Sequence, residues 1–271
     1  MNRSELGAYL DKVRSARPIV HHNTNYVTAN DCANVTLAVG ASPIMADDPS
    51  EAAEVTSRAG ALVLNMGTPS ASRIRAMILS GRRANELDIP VVFDPVGVGA
   101  SRFRSDSARE ILRCVRCTVI RCNASEMSSL AGGREGAAGV DARRGGTDLE
   151  GTIEAAKKIS GIYGCVTAST GPTDVVTDGS RTVLIRNGHQ SMGMITGTGC
   201  MCDSLVASFC AAGAPGMEAA ICGVACMGIA GELAFKLAGS GGTGRLRTAM
   251  IDSISNMTPE VLAELMDCAA T

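Results

Sequence analysis

Apolar residues recur along the chain at two spacings. Short continuous runs at 61–65, 89–93, 118–120 and 165–168 have the length of buried strands. Between and around them lie segments with helical spacing, near 48–59, 70–87, 105–114, 124–131 and 149–161. Buried strands that alternate with helices predict a parallel sheet covered on both faces. Before this region, residues 3–15 read as a helix closed ahead of Pro18, and Ile19-Val-His21 reads as a short strand. Asn23-Thr-Asn25 offers caps for a long helix to about Val39, which Gly40 ends. The stretch 175–185 breaks the rhythm. Two β-rich runs around Asp178-Gly179 predict a hairpin, and so an antiparallel portion of the sheet. From Cys200 onward the pattern is helical, with a Gly-rich link at Gly239-Ser-Gly-Gly-Thr-Gly244. No long linker, repeat or composition shift divides the chain, so 1–271 reads as a single α/β domain.

The stretch that organises the chemistry is Gly197-Thr198-Gly199-Cys200, which runs straight into an apolar helix with Leu205, Val206 and Phe209 on one face. Such a loop leaves the first N–H groups of the helix free at the positive end of its dipole, a ready site for phosphate. Cys200 falls in the first turn, where a thiol pKa is expected to be lowered. In an open α/β sheet, ligands sit beyond the carboxyl ends of the strands. The residues that follow the strands here are Asn65-Met-Gly67, Asp94-Pro-Val-Gly-Val-Gly99, Arg121-Cys-Asn-Ala-Ser-Glu126 and Ser169-Thr-Gly171. Carboxylates, an arginine, hydroxyls and glycine turns suit phosphate and a hard cation such as Mg²⁺. Each has a local alternative: Asp94 can start a turn before Pro95, and Asn123-Ala-Ser-Glu126 is a helix capping box. Local roles do not explain why all of them fall on one edge of the sheet.

Composition narrows the function. A net charge of −2, with four Phe, three Tyr and no Trp, argues against nucleic-acid binding. Apolar runs are broken before 18 residues, so no membrane span is expected, and the N-terminus lacks an apolar signal core. A cytoplasmic location is expected. The eleven cysteines do not suggest a disulfide scaffold in that compartment. Cys114-Val-Arg-Cys117 has no second pair to complete a zinc ribbon. His21 and His22, adjacent on a strand, point to opposite faces rather than to one metal.

Taken together, several stretches resemble hydroxyethylthiazole kinase, of the ribokinase-like superfamily. They are Val20-His21, Thr24-Asn25, Asn30, Ala33-Asn34 and Gly40-Ala-Ser-Pro-Ile-Met45. Further on come Asp94-Pro-Val-Gly-Val-Gly-Ala100, Arg121-Cys-Asn-Ala-Ser-Glu126, Gly139-Val-Asp141, Thr170-Gly171 with Asp174, Val176-Thr-Asp-Gly179 and Gly197-Thr-Gly-Cys200. The likeness runs in order over nearly the whole chain. It implies a three-layer α/β/α sandwich around a mostly parallel sheet. It also implies phosphorylation of the hydroxyl of 4-methyl-5-(2-hydroxyethyl)thiazole by MgATP, in thiazole salvage for thiamine.

By the same resemblance, Met45, Gly197 and Asn25 serve the thiazole alcohol, while Arg121, Thr170 and Gly199 serve ATP. Asp94 and Glu126 serve Mg²⁺, directly or through water, and Cys200 takes the catalytic position. A homotrimer is implied, with substrate sites between subunits and with Asn25 and Met45 near a neighbour. Phosphoryl transfer runs mainly on positioning and charge neutralisation, which the Gly197–Gly199 backbone and Arg121 would supply. Cys200 would accept the alcohol proton. A thiol near its reference pKa of about 8.5 is mostly protonated at pH 7, so the rate is expected to rise above neutral pH. Two stretches depart from the family pattern: His22-Asn23 ahead of Thr24-Asn25, and the Gly- and Arg-rich run 132–148 beside the expected nucleotide site. Rival readings are another ribokinase-like kinase acting on a pyrimidine or pyridoxal-type alcohol, and a silent binding protein on the same fold. A nicotinamide dehydrogenase is excluded, because no G-x-G-x-x-G follows the first strand with an acidic residue about 20 positions on.

Overall fold

A computed structural model describes residues 2–132 and 148–271. The chain opens with α1 (Arg3–Ala16), β1 (Ile19–Asn23), α2 (Ala29–Val39), β2 (Ser42–Met45) and α3 (Ala52–Thr56). Strand and helix then alternate through β3 (Ala61–Asn65), α4 (Ala71–Glu86), β4 (Val91–Asp94), α5 (Arg102–Cys114), β5 (Val119–Asn123) and α6 (Ala124–Leu130). After α7 (Leu149–Tyr163) come β6 (Val166–Thr170), β7 (Asp174–Thr177) and β8 (Thr182–Ile185). A 3-10 turn (Gln190–Met194) leads into α8 (Thr198–Ala211), α9 (Gly216–Ala238), α10 (Gly242–Asn256), α11 (Pro259–Leu265) and β9 (Cys268–Ala270).

The nine strands form one sheet in the order β2-β1-β3-β4-β5-β6-β7-β8-β9. Pairings from β2 through β6 are parallel, and those from β6 to β9 are antiparallel. The expected hairpin is the β7–β8 pair, in which Thr177 lies opposite Thr182 and Gly179 takes a positive φ in the turn. Alternation along each strand sorts the core into two layers. Val63, Val92 and Val119 face one way, onto α1, α2, α8, α9 and α10. Leu62, Leu64, Phe93 and Ile120 face the other way, onto α4, α5, α6 and α7. Helix–sheet–helix layering follows directly from that alternation.

Four local readings are corrected. The long helix starts at Ala29, not near Asn25, because Asn25 Oδ1 accepts from Val27 and Thr28 N–H and holds a turn there. The chain from Cys200 onward is not all helix, since β9 pairs with β8. β2 is an additional strand; its Pro43 is tolerated because β2 is the outermost strand. Finally, α9 is long and apolar enough to cross a membrane, although no such run was expected. It is a core helix here, packed between α8 and α10 with Ile221, Val224, Met227 and Ile229 buried.

The two histidines of β1 do face opposite sides. His21 bonds Thr56 Oγ1 and the Ala46 carbonyl, while His22 bonds Thr36 Oγ1. All eleven cysteines are free thiols, including Cys114 and Cys117. The 132–148 run and Gly139-Val-Asp141 fall almost wholly outside the described residues.

Candidate active site

The strand alternation that builds the core also builds the site. Val63, Val92 and Val119 point toward α8, so the residues two positions further on point the same way. Those residues are Asn65 and Asp94, the last of β3 and β4, and Arg121, which lies inside β5 rather than after it, because β5 runs on to Asn123. The first two turns of α8 descend onto them and add Cys200 and Asp203.

Arg121 lies at the centre. Its Nη1 donates to Asp94 Oδ2 at 3.1 Å, and its Nε faces Asp203 Oδ1 at 3.6 Å, an ion pair too long for a hydrogen bond. The three side chains are 6%, 2% and 0% exposed, so water screens none of these charges well. Asn65 ties the cluster together. Its Nδ2 donates to Asp94 Oδ2 at 2.8 Å and lies 3.2 Å from both Asp203 Oδ2 and Cys200 Sγ. Its Oδ1 accepts from Asn25 Nδ2 at 2.8 Å and from Gly67 N–H at 3.0 Å. Asn25 Nδ2 also reaches Cys200 Sγ at 3.4 Å.

Two carboxylates thus share one guanidinium. Burial raises the Asp94 pKa well above the usual carboxylate range, Asp203 adds to the rise, and Arg121 opposes it. Burial raises Asp203 too, again against Arg121. Burial disfavours the Arg121 charge, but the two carboxylates more than offset it. Asp94 Oδ1 and Asp203 Oδ1 are closed to solvent and accept no hydrogen bond.

The glycine loop has its expected form. Gly197 caps α8 at φ +89° with no side chain satisfying the first N–H groups. The guanidinium of Arg121 lies directly against Gly199, where an added Cβ would overlap it. The residues expected to serve ATP do converge: Arg121, Thr170 and Gly199 line one cavity of about 550 Å³, with Gly171, Asn187 and His189.

Other expected residues are placed differently. Glu126 completes the capping box with Asn123, and its second oxygen accepts from Gly97 N–H at 2.7 Å. It therefore pins the loop after Asp94 to the start of α6. Burial and Asp94 push its pKa up to about 7, against those two backbone bonds. Among the described residues, the acidic and thiol groups that gather in a set of three, within 4.8 Å of one another, are Asp94, Cys200 and Asp203. Asn25 and Gly197 sit at the start of α8, with Gly197 packed on Thr28, while Met45 ends the outer strand and is 38% exposed.

Cys200 reverses one expectation. The dipole of α8 was expected to lower its pKa, but burial, then Asp94 and Asp203, push it up to about 12. Burial first, and then the carboxylates of Asp94 on β4 and Asp203 one turn along α8, drive this rise. Sequence reasoning missed Asp203 altogether. Its signal was that it is the lone charged residue in a helix of fourteen otherwise uncharged residues.

The cluster lies at the sheet edge where ligands of open α/β folds bind, and comparison with known proteins gives the family. The family model for the hydroxyethylthiazole kinase family matches residues 10–260. The chain belongs to the hydroxyethylthiazole kinase family. It is 49% identical over 255 residues to a hydroxyethylthiazole kinase from Ruminiclostridium cellulolyticum, covering 94% of this chain and 93% of that one. Identity to the Clostridium beijerinckii hydroxyethylthiazole kinase is 47% over 265 residues, covering 96% and 95%. The solved structure of the hydroxyethylthiazole kinase protein from Pyrococcus horikoshii OT3 superposes with a TM-score of 0.89 at 33% identity, covering 98% and 99%. An ADP complex of Bacillus subtilis pyridoxal kinase aligns at TM-score 0.56 and 19% identity, over 75% of this chain and 87% of that one, a likeness of fold alone. As a member of the hydroxyethylthiazole kinase family with a ribokinase-like fold, the protein is a kinase that acts on an alcohol.

Proposed function

We propose that this kinase transfers the γ-phosphoryl group of ATP to the hydroxyl of 4-methyl-5-(2-hydroxyethyl)thiazole, in thiazole salvage for thiamine. The observation that carries the reading is the Asp94–Arg121–Asp203 cluster set directly beneath the uncapped start of α8, beside a cavity of about 550 Å³. A loose phosphoryl-transfer transition state needs fixed positive charge and free N–H donors around the moving group, and these elements provide both. Thr170 and Gly199 would contact ATP with Arg121. Gly197, Asn25 and Met45 would contact the alcohol.

Mg²⁺ fits the donors. Asp94 Oδ1 is a hard oxygen, buried and without a partner, which is the kind of atom Mg²⁺ takes. Glu126, already engaged by two backbone N–H groups, would reach the ion through water. What a bound cation supplies here is neutralisation of phosphate and carboxylate charge. That neutralisation would also relieve the carboxylate field on the Cys200 thiol. In the resting protein Cys200 is a neutral thiol and no base, so its role is to hold the reacting hydroxyl beside Asn25.

The protein would act as a homotrimer. Tyr26, Val27, Ile44 and Met45 are apolar residues exposed by 74%, 56%, 39% and 38% around the unpaired edge of β2, which suits burial against a second copy. One domain over 1–271 is in keeping with a single sheet that takes strands from Ile19 to Ala270. Eleven free thiols suit the cytoplasm.

The test is ADP release from MgATP with hydroxyethylthiazole or hydroxymethylpyrimidine as acceptor, for the wild type and Cys200→Ala. Turnover with the thiazole, greatly reduced in the variant, supports substrate and site together. Turnover with the pyrimidine alone moves the protein to another alcohol.

A further inference from the structure

Arg121 faces two carboxylates, and how its charge is divided decides what Asp94 can hold. Asp203 is fully buried in the second turn of α8, where its neighbours Cys202, Ser204 and Leu205 are uncharged. A carboxylate there is costly unless something needs its charge. Arg121 presents a different edge to each acid, Nη1 to Asp94 and Nε to Asp203. Asn65 Nδ2 engages the Oδ2 atom of both acids, at 2.8 and 3.2 Å, and so fixes their spacing. One positive charge is thereby spread over two negative ones. A bare oxygen, Asp94 Oδ1, remains on the side that Arg121 does not bond. Were Asp203 uncharged, Arg121 would neutralise Asp94 alone.

We propose that Asp203 is a positioning residue that draws part of the Arg121 charge away from Asp94, leaving Asp94 Oδ1 open to a divalent cation, with Asn65 bridging the two acids. The inference rests on the proposed use of Asp94 by Mg²⁺, and it gives Asp203 no contact with substrate. Its effect must travel through Arg121, which a residue needed only for packing would not require.

The test is Mn²⁺ binding to the whole protein without nucleotide or acceptor, read from the loss of the free-ion electron paramagnetic resonance signal. Asp203→Asn, close in shape but uncharged, should weaken Mn²⁺ binding about tenfold, a coupling typical of groups in direct contact. In an Arg121→Lys background, which keeps the charge but lacks Nε, the same replacement should weaken binding less than about threefold. Unchanged Mn²⁺ affinity in Asp203→Asn overturns the inference, and so does an equal loss in both backgrounds, which would make Asp203 a direct ligand. If the wild type binds Mn²⁺ but Arg121→Lys does not fold, turnover against Mg²⁺ concentration decides. Asp203→Asn should then need about tenfold more Mg²⁺ for half-maximal rate at unchanged KM for the alcohol, and an unshifted Mg²⁺ curve refutes the role. No Mn²⁺ binding by the wild type removes the cation reading of Asp94 itself, and the Asp203 role with it.

Discussion

Replacing Gly199 by alanine separates two forces of opposite sign. Gly199 lies inside the first turn of α8, where alanine is the better helix former by about 1 kcal/mol. Its backbone has no left-handed φ, so a side chain brings no conformational strain of its own. Helix propensity alone therefore predicts a more stable protein. Packing predicts the reverse, because the new Cβ would overlap the Arg121 guanidinium, with Nη1 at 2.9 Å and Cζ at 3.0 Å. Arg121 cannot swing aside freely, since Asp94 and Asp203 hold it and its side chain is 6% exposed. Forcing a carbon into a filled site costs about 1–3 kcal/mol. Loosening a buried ion pair costs about 3–5 kcal/mol when one charge is left alone. With partial relaxation the net loss should be about 2–4 kcal/mol, or a melting temperature lower by about 5–15 °C for a chain of this size. Turnover should fall by about 10²–10³ as the guanidinium leaves its place at the phosphoryl site. Calorimetry and steady-state ADP release check both. A variant that melts at or above the wild-type temperature would refute the placement of Arg121 against the loop.

Four further outcomes are expected. Glu126 and Asp174 are both raised to about 7, chiefly by burial, so the folded state binds their protons more tightly than the unfolded chain. Their contribution to stability is fully present below the ordinary carboxylate range and is lost as pH rises through 7. His21 and His22, lowered by burial, act in the opposite direction over part of that window. The difference between wild type and Glu126→Gln is therefore the quantity to follow. The variant should gain on the wild type as pH rises from about 4.5 to 7, and a constant gap in melting temperature would contradict this. Cys200, at about 12, should be alkylated by iodoacetamide far more slowly at pH 8 than a free cysteine, as site-resolved mass spectrometry would report. Ile44→Glu should turn a trimer into monomers in sedimentation velocity, and a wild type that sediments as a monomer would dispose of the trimer. Asn123→Ala removes one arm of the capping box and should cost about 1 kcal/mol in denaturant unfolding.

The sheet was legible because its strands are apolar on both faces, and β3 runs from Ala61 to Asn65 as its pattern predicts. Hairpin chemistry at Asp178-Gly179 marked the β7–β8 pair, while the change to antiparallel pairing falls one pair earlier, between β6 and β7. β2 and β9 escaped because an edge strand carrying Pro43 and a three-residue Cys-Ala-Ala strand hold little β signal; pairing with β1 and β8 makes them strands. In the site, glycines and strand-end acids could be read because turns and carboxyl ends follow local rules. Asp203 could not, since its meaning depends on how α8 settles onto Asp94 and Arg121, a tertiary register. The Cys200 shift runs against the helix-end expectation for the same reason: a helix end is visible in sequence, but the burial of the thiol, and two carboxylates converging on it from β4 and α8, are not.

The most direct test of phosphoryl transfer at this cluster is the turnover of Asp94→Asn on hydroxyethylthiazole and MgATP, with the product identified as a phosphate monoester by phosphorus NMR. The wild type should form the monoester. The variant, folded by circular dichroism, should lose about 10³ or more in kcat/KM. Monoester formation at an undiminished rate by folded Asp94→Asn would contradict the assignment of the active site to this edge of the sheet.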